Sequence, residues 1–137
     1  MSHSRIVGRM IRRAQEARRS ADANLSTGLF SLACISAYQF VSLMLKARVI
    51  ERTGLEPRAK GISGLLMALG ETLGRSDDIA EFMEKVKDEI AFFEELYERS
   101  KASASPCSRE EAEKAVMIAD KLVSFVENLV AGAGPVG

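Results

Sequence analysis

From Leu25 to Leu45 the chain runs twenty-one residues without a charge, although 28% of its residues are charged. About twenty apolar residues are enough to cross a bilayer, so length alone does not separate a membrane span from a core helix. The placement of the polar residues does. Wound at about 100° per residue, Asn24, Thr27, Ser31, Tyr38, Gln39, Ser42 and Lys46 gather on one strip, broken chiefly by Ile35. Phe30, Leu32, Ala33, Ala37, Phe40, Val41, Leu43 and Met44 occupy the rest of the circumference. A lipid-facing helix has no reason to keep such a strip in register unless it lines a bundle. The pattern therefore predicts a buried core helix with one polar seam, and no membrane association.

Helical periodicity runs through the rest of the chain. A first helix over about Arg5 to Asn24 places Ile6, Met10, Ala14, Ala17 and Ala21 on one side, and Arg5, Arg9, Arg12, Arg13, Glu16 and Arg19 on the other. Gly28 separates it from the long second helix, which runs to about Arg52. "TGLEPRAKG" reads as a loop, because Gly54 and Gly61 loosen it and Pro57 disfavours helix at Glu56. A third, short helix spans Ile62 to Leu73 and closes at Gly74. Ser76 can cap a fourth, which carries Ile79, Phe82, Met83, Val86, Ile90, Phe93 and Tyr97 at three-and-four spacing. "SASP" then breaks the chain, and Ser108 with Glu111 forms a capping box for the last helix. Its stripe is Ala112, Ala115, Val116, Ala119, Leu122, Val123, Val126 and Val130. The fold class predicted is all-α, an up-and-down antiparallel bundle of four long helices plus a short one. It forms a single domain over residues 1–131, and residues 132–137 form a flexible tail.

Composition fits one globular domain of 137 residues with a sizeable core. No apolar stretch directly follows the N-terminal arginines, so no cleaved signal peptide is expected and the expected location is cytoplasmic. Cys34 and Cys107 lie far apart, with no nearby histidine and no C-x-x-C spacing. Cys34 reads as a small core hydrophobe and Cys107 as a free loop thiol, a bridge between them being the outside alternative. No metal or cofactor site is expected. Two asparagines and two glutamines in the whole chain hint at a heat-adapted source. Net charge is zero, but residues 1–24 hold six arginines against Glu16 and Asp22, and residues 75–98 hold nine acidic residues against Arg75, Lys85 and Lys87. The plain reading is that these two segments lie side by side and neutralise each other. The sharper one is that Arg5, Arg9, Arg12, Arg13 and Arg19 face RNA phosphates or an acidic partner. A membrane surface ranks last, since alanine builds most of the apolar face of that helix.

"AYQFVSLMLKA", "EPRAKGISGLLMAL" and "CSREEAEKAVMIADKLVSFVENLV", in this order, resemble the HEPN domain of prokaryotes over about Met10 to Val130. The resemblance implies an up-and-down helical bundle, usually a homodimer, often working beside a minimal nucleotidyltransferase. Many members are metal-independent ribonucleases or toxins of toxin–antitoxin type. Their catalytic pattern is an arginine followed four to six residues later by a histidine at the start of the third helix. Histidine supplies the acid and base that RNA cleavage needs near neutral pH, whereas arginine can only steady phosphate charge. Here Arg58 stands in the arginine place, and Ile62, Ser63 and Gly64 fill the histidine positions. His3 is the sole histidine, at a terminus expected to be mobile. Leu65 stands where some family toxins carry a modified tyrosine, and Ser42 and Leu43 replace an acidic and basic pair of the second helix, although Lys46 remains.

Each candidate also has a plain reading. Arg58 and Lys60 are solvated loop charges or a nucleotide-phosphate site with Ser63 and Lys46. Lys46 by itself reads as a snorkelling surface lysine. Tyr38 and Gln39 read as interhelical hydrogen-bonding groups rather than ligand contacts. Tyr97 and Arg99 read as core-edge residues or as lining of the family's cleft. No catalytic set emerges, so an enzyme is not expected. The expected function is a catalytically degenerate, dimeric binding or regulatory module that associates with a minimal nucleotidyltransferase or binds a nucleotide or RNA. The alternative is a metal-independent ribonuclease of the same fold with a displaced site. The dimer is expected on a further ground, because the second helix carries more apolar surface than one bundle covers.

Overall fold

A computed structural model describes residues 2–102 and 106–134. Among the described residues six helices follow one another: α1 (Ser2–Ser26), α2 (Phe30–Thr53), α3 (Ile62–Leu73), α4 (Ser76–Lys85), α5 (Lys87–Ala102) and α6 (Arg109–Gly132). The all-α bundle predicted from the periodicity is the fold observed, with no strand among the described residues. Helix α2 is its spine. Helices α1, α3, α5 and α6 all pack against it, so Ala33, Cys34, Ala37, Val41, Met44, Leu45 and Ala47 are buried. It alone among the described residues is long and apolar enough to cross a membrane, yet 56% of its apolar window is buried by the rest of the chain. Of the large apolar side chains on α2, only Leu32 is exposed. Helices α1, α3, α5 and α6 cover part of the apolar surface of α2, and Phe30, Ile35, Phe40 and Leu43 remain half-buried.

Local signals account for most of the boundaries. Ser108 Oγ accepts from the Glu111 N–H at 3.1 Å, and the Glu111 carboxylate accepts from the Ser108 N–H at 2.9 Å, completing the predicted capping box. Gly74 ends α3 in the left-handed conformation at φ 66°, where a side chain would be strained. Ser76 is not a side-chain cap; it is the first residue of α4, and Arg75 stands before it. The predicted fourth helix is broken in two at Val86, whose φ of −112° and ψ of 17° leave the helical region. No glycine or proline marks that place. Val86 is itself 3% exposed, so the turn is held by packing its side chain into the core.

On α1 the buried positions are Val7, Ala14, Ala17 and Ala21, whereas Ile6 is 47% exposed; the apolar stripe begins one residue later than the spacing suggests. His3 lies in the first turn of α1. Helix α1 does not lie along the acidic segment as the plain reading expected. It packs on α2 and more lightly on α6, where Arg18 forks onto both carboxylate oxygens of Asp120 at 2.7 and 2.9 Å. Arg48 of α2 grips Glu127 of α6 in the same way at 2.8 and 2.6 Å. The acidic segment instead pairs with its own cations, including Lys85 with Glu81 and Lys87 with Glu84, and with Lys121 of α6 through Glu89. The start of the expected tail is tied down, since the Arg52 guanidinium donates to the Gly134 carbonyl at 2.8 Å. Residues 135–137 of that tail, and most of "SASP", lie outside the described residues.

Candidate functional site

The polar seam of α2 becomes the floor of a cleft. Two adjoining depressions of about 460 Å³ each share Tyr38, Ser42, Lys46 and Tyr97. One is walled by Arg13, Glu16 and Ser20 of α1 and includes Gln39. The other is walled by the α2–α3 loop at Ala59, Lys60 and Gly61, and by Glu94, Glu98 and Lys101 of α5. The seam faces the cleft because the remaining sides of α2 are occupied by neighbouring helices.

Glu94 organises the α3 end of this cleft. One carboxylate oxygen accepts the Ile62 N–H at 2.6 Å and the other accepts the Tyr38 hydroxyl at 3.0 Å. Helix α3 has no side-chain cap of its own at Gly61, so a carboxylate from α5 satisfies its first amide and complements its positive end. Gly61 makes this approach possible: it sits at φ 80°, and a Cβ there would come 3.3 Å from Glu94 Oε1. The Tyr38 ring stacks on Tyr97 with centroids 3.7 Å apart and planes within 3°, and Lys101 Nζ lies 4.4 Å from the Tyr97 ring centre. Burial, reinforced by the Glu94 charge, pushes the Tyr38 hydroxyl above the usual phenol range, so it stays a neutral donor.

Four cations line the cleft: Arg13, Lys46, Lys60 and Lys101. Lys101 lies 3.4 Å from Glu98 and Lys46 4.0 Å from Glu56, whereas Arg13 and Lys60 make no ion pair among the described residues. The structure thus places Lys46 and Lys60, two of the four candidate phosphate-site residues, in the lining of one depression. It leaves out the other two members. Arg58 is exposed on the loop and Ser63 is half-buried in the first turn of α3, and neither lines the cleft. Of the arginine face, Arg13 reaches the cleft while Arg5, Arg9, Arg12 and Arg19 stay exposed along α1. Arg99 turns away to Glu111 at 2.7 and 3.2 Å, joining α5 to α6, while Tyr97 does line the cleft. Tyr38 makes the interhelical hydrogen bond expected of it, and Gln39 is exposed.

Four polar cleft residues escape a reading of the sequence, Ser20, Glu94, Glu98 and Lys101. Glu94 left a faint signal, since it falls four residues after Ile90 and three before Tyr97, in the apolar register of α5. Lys101 left none. Both cysteines are free and buried, with Cys107 Sγ 3.1 Å from Ser100 Oγ. Among the described residues no group of three or more His, Cys, Asp or Glu side chains is placed to hold a metal ion.

A helical bundle wound on an apolar spine, with a cleft of mixed charge beside the start of its third helix, is the class of protein that fold and site define. The family model for the HEPN domain matches residues 7–129, and the chain belongs to that family. No curated protein matches it.

Proposed function

We propose that this chain is a non-catalytic HEPN module that binds a phosphorylated ligand, a nucleotide or an RNA end, in the cleft through Lys46 and Lys60, and acts as a homodimer beside a minimal nucleotidyltransferase in the cytoplasm. The carrying observation is Glu94. The start of α3, where the family's active members place their arginine-to-histidine motif, is filled here by a carboxylate already bonded to the Ile62 amide and Tyr38. A phosphate cannot share that helix end with a carboxylate, and Arg58 lies off the cleft. The sole histidine of the chain, His3, is not among the cleft residues either. What the cleft keeps is four cations, offset in part by Glu16, Glu94 and Glu98, beside an aromatic pair, which suits binding rather than proton transfer. Titration of the purified chain with ATP tests this: saturable binding is expected, weakened about tenfold or more in Lys46→Ala and Lys60→Ala, each loss corresponding to one charge-assisted contact. Absence of binding at low salt would remove the ligand reading.

A further inference from the structure

Two faces of opposite charge are left in solvent. On α1, Arg5, Arg9 and Arg12 are exposed and make no ion pair among the described residues, and Ile6 lies exposed beside them. Between α3 and α4 lies a groove of about 540 Å³, lined by the apolar side chains of Met67, Ile79 and Met83 and by the exposed carboxylates of Glu71, Asp77 and Glu84. Gly70 shapes its floor, because α3 approaches α4 closely enough that a Cβ there would lie 3.0 Å from Ile79 Cγ1. One cation, Lys87, reaches the groove and is spent on Glu84 at 3.2 Å. Glu71 and Asp77 make no ion pair among the described residues.

We propose that the arginine face of α1 in one copy docks on the acidic groove between α3 and α4 of a second copy, with Ile6 entering against Met67 and Met83. Three observations choose this occupant. The chain has 19 basic and 19 acidic residues, so neither face attracts a partner through net charge, yet each finds its complement on every other copy. The faces cannot cancel within one molecule, since α1 packs on α2 and α6 whereas α4 packs on α3 and α5. Their charges also repeat in step: Arg5 and Arg12 are seven residues apart, as are Asp77 and Glu84, about 10 Å along either helix, although Glu84 is shared with Lys87. Met67 is exposed and Met83 half-buried, and methionine adapts to the shape of an incoming side chain, which suits a groove awaiting a single isoleucine. A two-fold arrangement would make both contacts at once and close a dimer. The inference supplies a contact for the dimer proposed above and is independent of what the cleft binds.

The test is a charge exchange read by sedimentation at tens of micromolar. The wild-type chain should sediment above monomer mass in about 50 mM salt and as a monomer in about 500 mM, where exposed charges are screened. Arg5→Glu with Arg9→Glu, and separately Glu71→Lys with Glu84→Lys, should each yield monomers at low salt. All four positions are exposed, and unchanged far-UV circular dichroism checks the fold. Mixing the two variants makes both pairs of faces complementary again, so association should return only in the mixture. A wild-type monomer at low salt, an assembly indifferent to either reversal, or a mixture that stays monomeric would overturn the proposal. So would an assembly that the α1 variant loses together with bound RNA while the groove variant keeps both, which would assign the arginine face to nucleic acid. ATP binding measured on the same variants separates this failure from failure of the cleft reading, because none of the four positions lines the cleft.

Discussion

Glu94 shows how one side chain can join three helices. It ties α5 to the first amide of α3 and to Tyr38 of α2, and Ile62, whose amide it holds, is fully buried. Glu94→Ala leaves that donor without a partner and should cost about 1–3 kcal/mol in urea unfolding, with Glu94→Gln milder because an acceptor oxygen remains. An unchanged midpoint for the alanine variant would mean that water replaces the carboxylate. Cys34 sets an alkaline limit. Burial, with a smaller contribution from Cys107, pushes its thiol from the usual 9.0 up to about 12, so the fold holds the neutral form. The folded state binds that proton more tightly than the unfolded state does. Its contribution is therefore complete below pH 9 and is lost as pH rises toward 12. Unfolding midpoints should fall between pH 9 and pH 11, and less steeply in Cys34→Ala. The same burial predicts that native protein resists thiol-labelling reagents that modify it at once in guanidinium.

At the scale of the element, the chain states its helices clearly and their interruptions poorly. The box at Ser108 and the glycine stop at Gly74 are local chemistry, complete within four residues, and both stand where the spacing puts them. The break at Val86 has no such marker, because what favours it is burial of Val86 against other elements. The one-residue offset on α1, where Val7 is buried in place of Ile6, has a similar origin: Ala47 and Ile50 of α2 receive Val7. Close packing of α3 on α4 depends on Gly70. An added Cβ would meet Ile79 at 3.0 Å and the Ser76 backbone at 3.2 Å. Gly70→Ala should destabilise the fold despite the better helix propensity of alanine, since overpacking costs about 1–3 kcal/mol against a gain of about 1. Thermal denaturation decides the sign, and a rise in Tm would show that α4 can move aside.

For the whole molecule, the outcome of interest is chemistry that should not occur. With Glu94 seated at the start of α3 and Arg58 outside the cleft, the purified chain should not cleave RNA in EDTA, loss of an acid or base typically removing 10²–10⁴ of rate. Cleavage that Arg58→Ala abolishes would instead establish a displaced active site. The bundle, the spine helix and its polar seam were determined by the sequence itself, because the periodicity of apolar residues and the chemistry of caps act between residues four or fewer apart. Tyr38, Gln39, Ser42 and Lys46 of that seam lie on the cleft floor, although the sequence pattern reads Tyr38 and Gln39 as interhelical groups and Lys46 as a surface lysine. Tertiary structure alone decided what faces that floor. Glu94 meets Tyr38 across 56 positions and Ile62 across 32, and Arg99 leaves the cleft for Glu111. The arginine helix is likewise set against α2 and α6 rather than the acidic segment. Such pairings join residues distant along the chain. They leave no local pattern, since their energy exists only once burial has fixed which helices are neighbours.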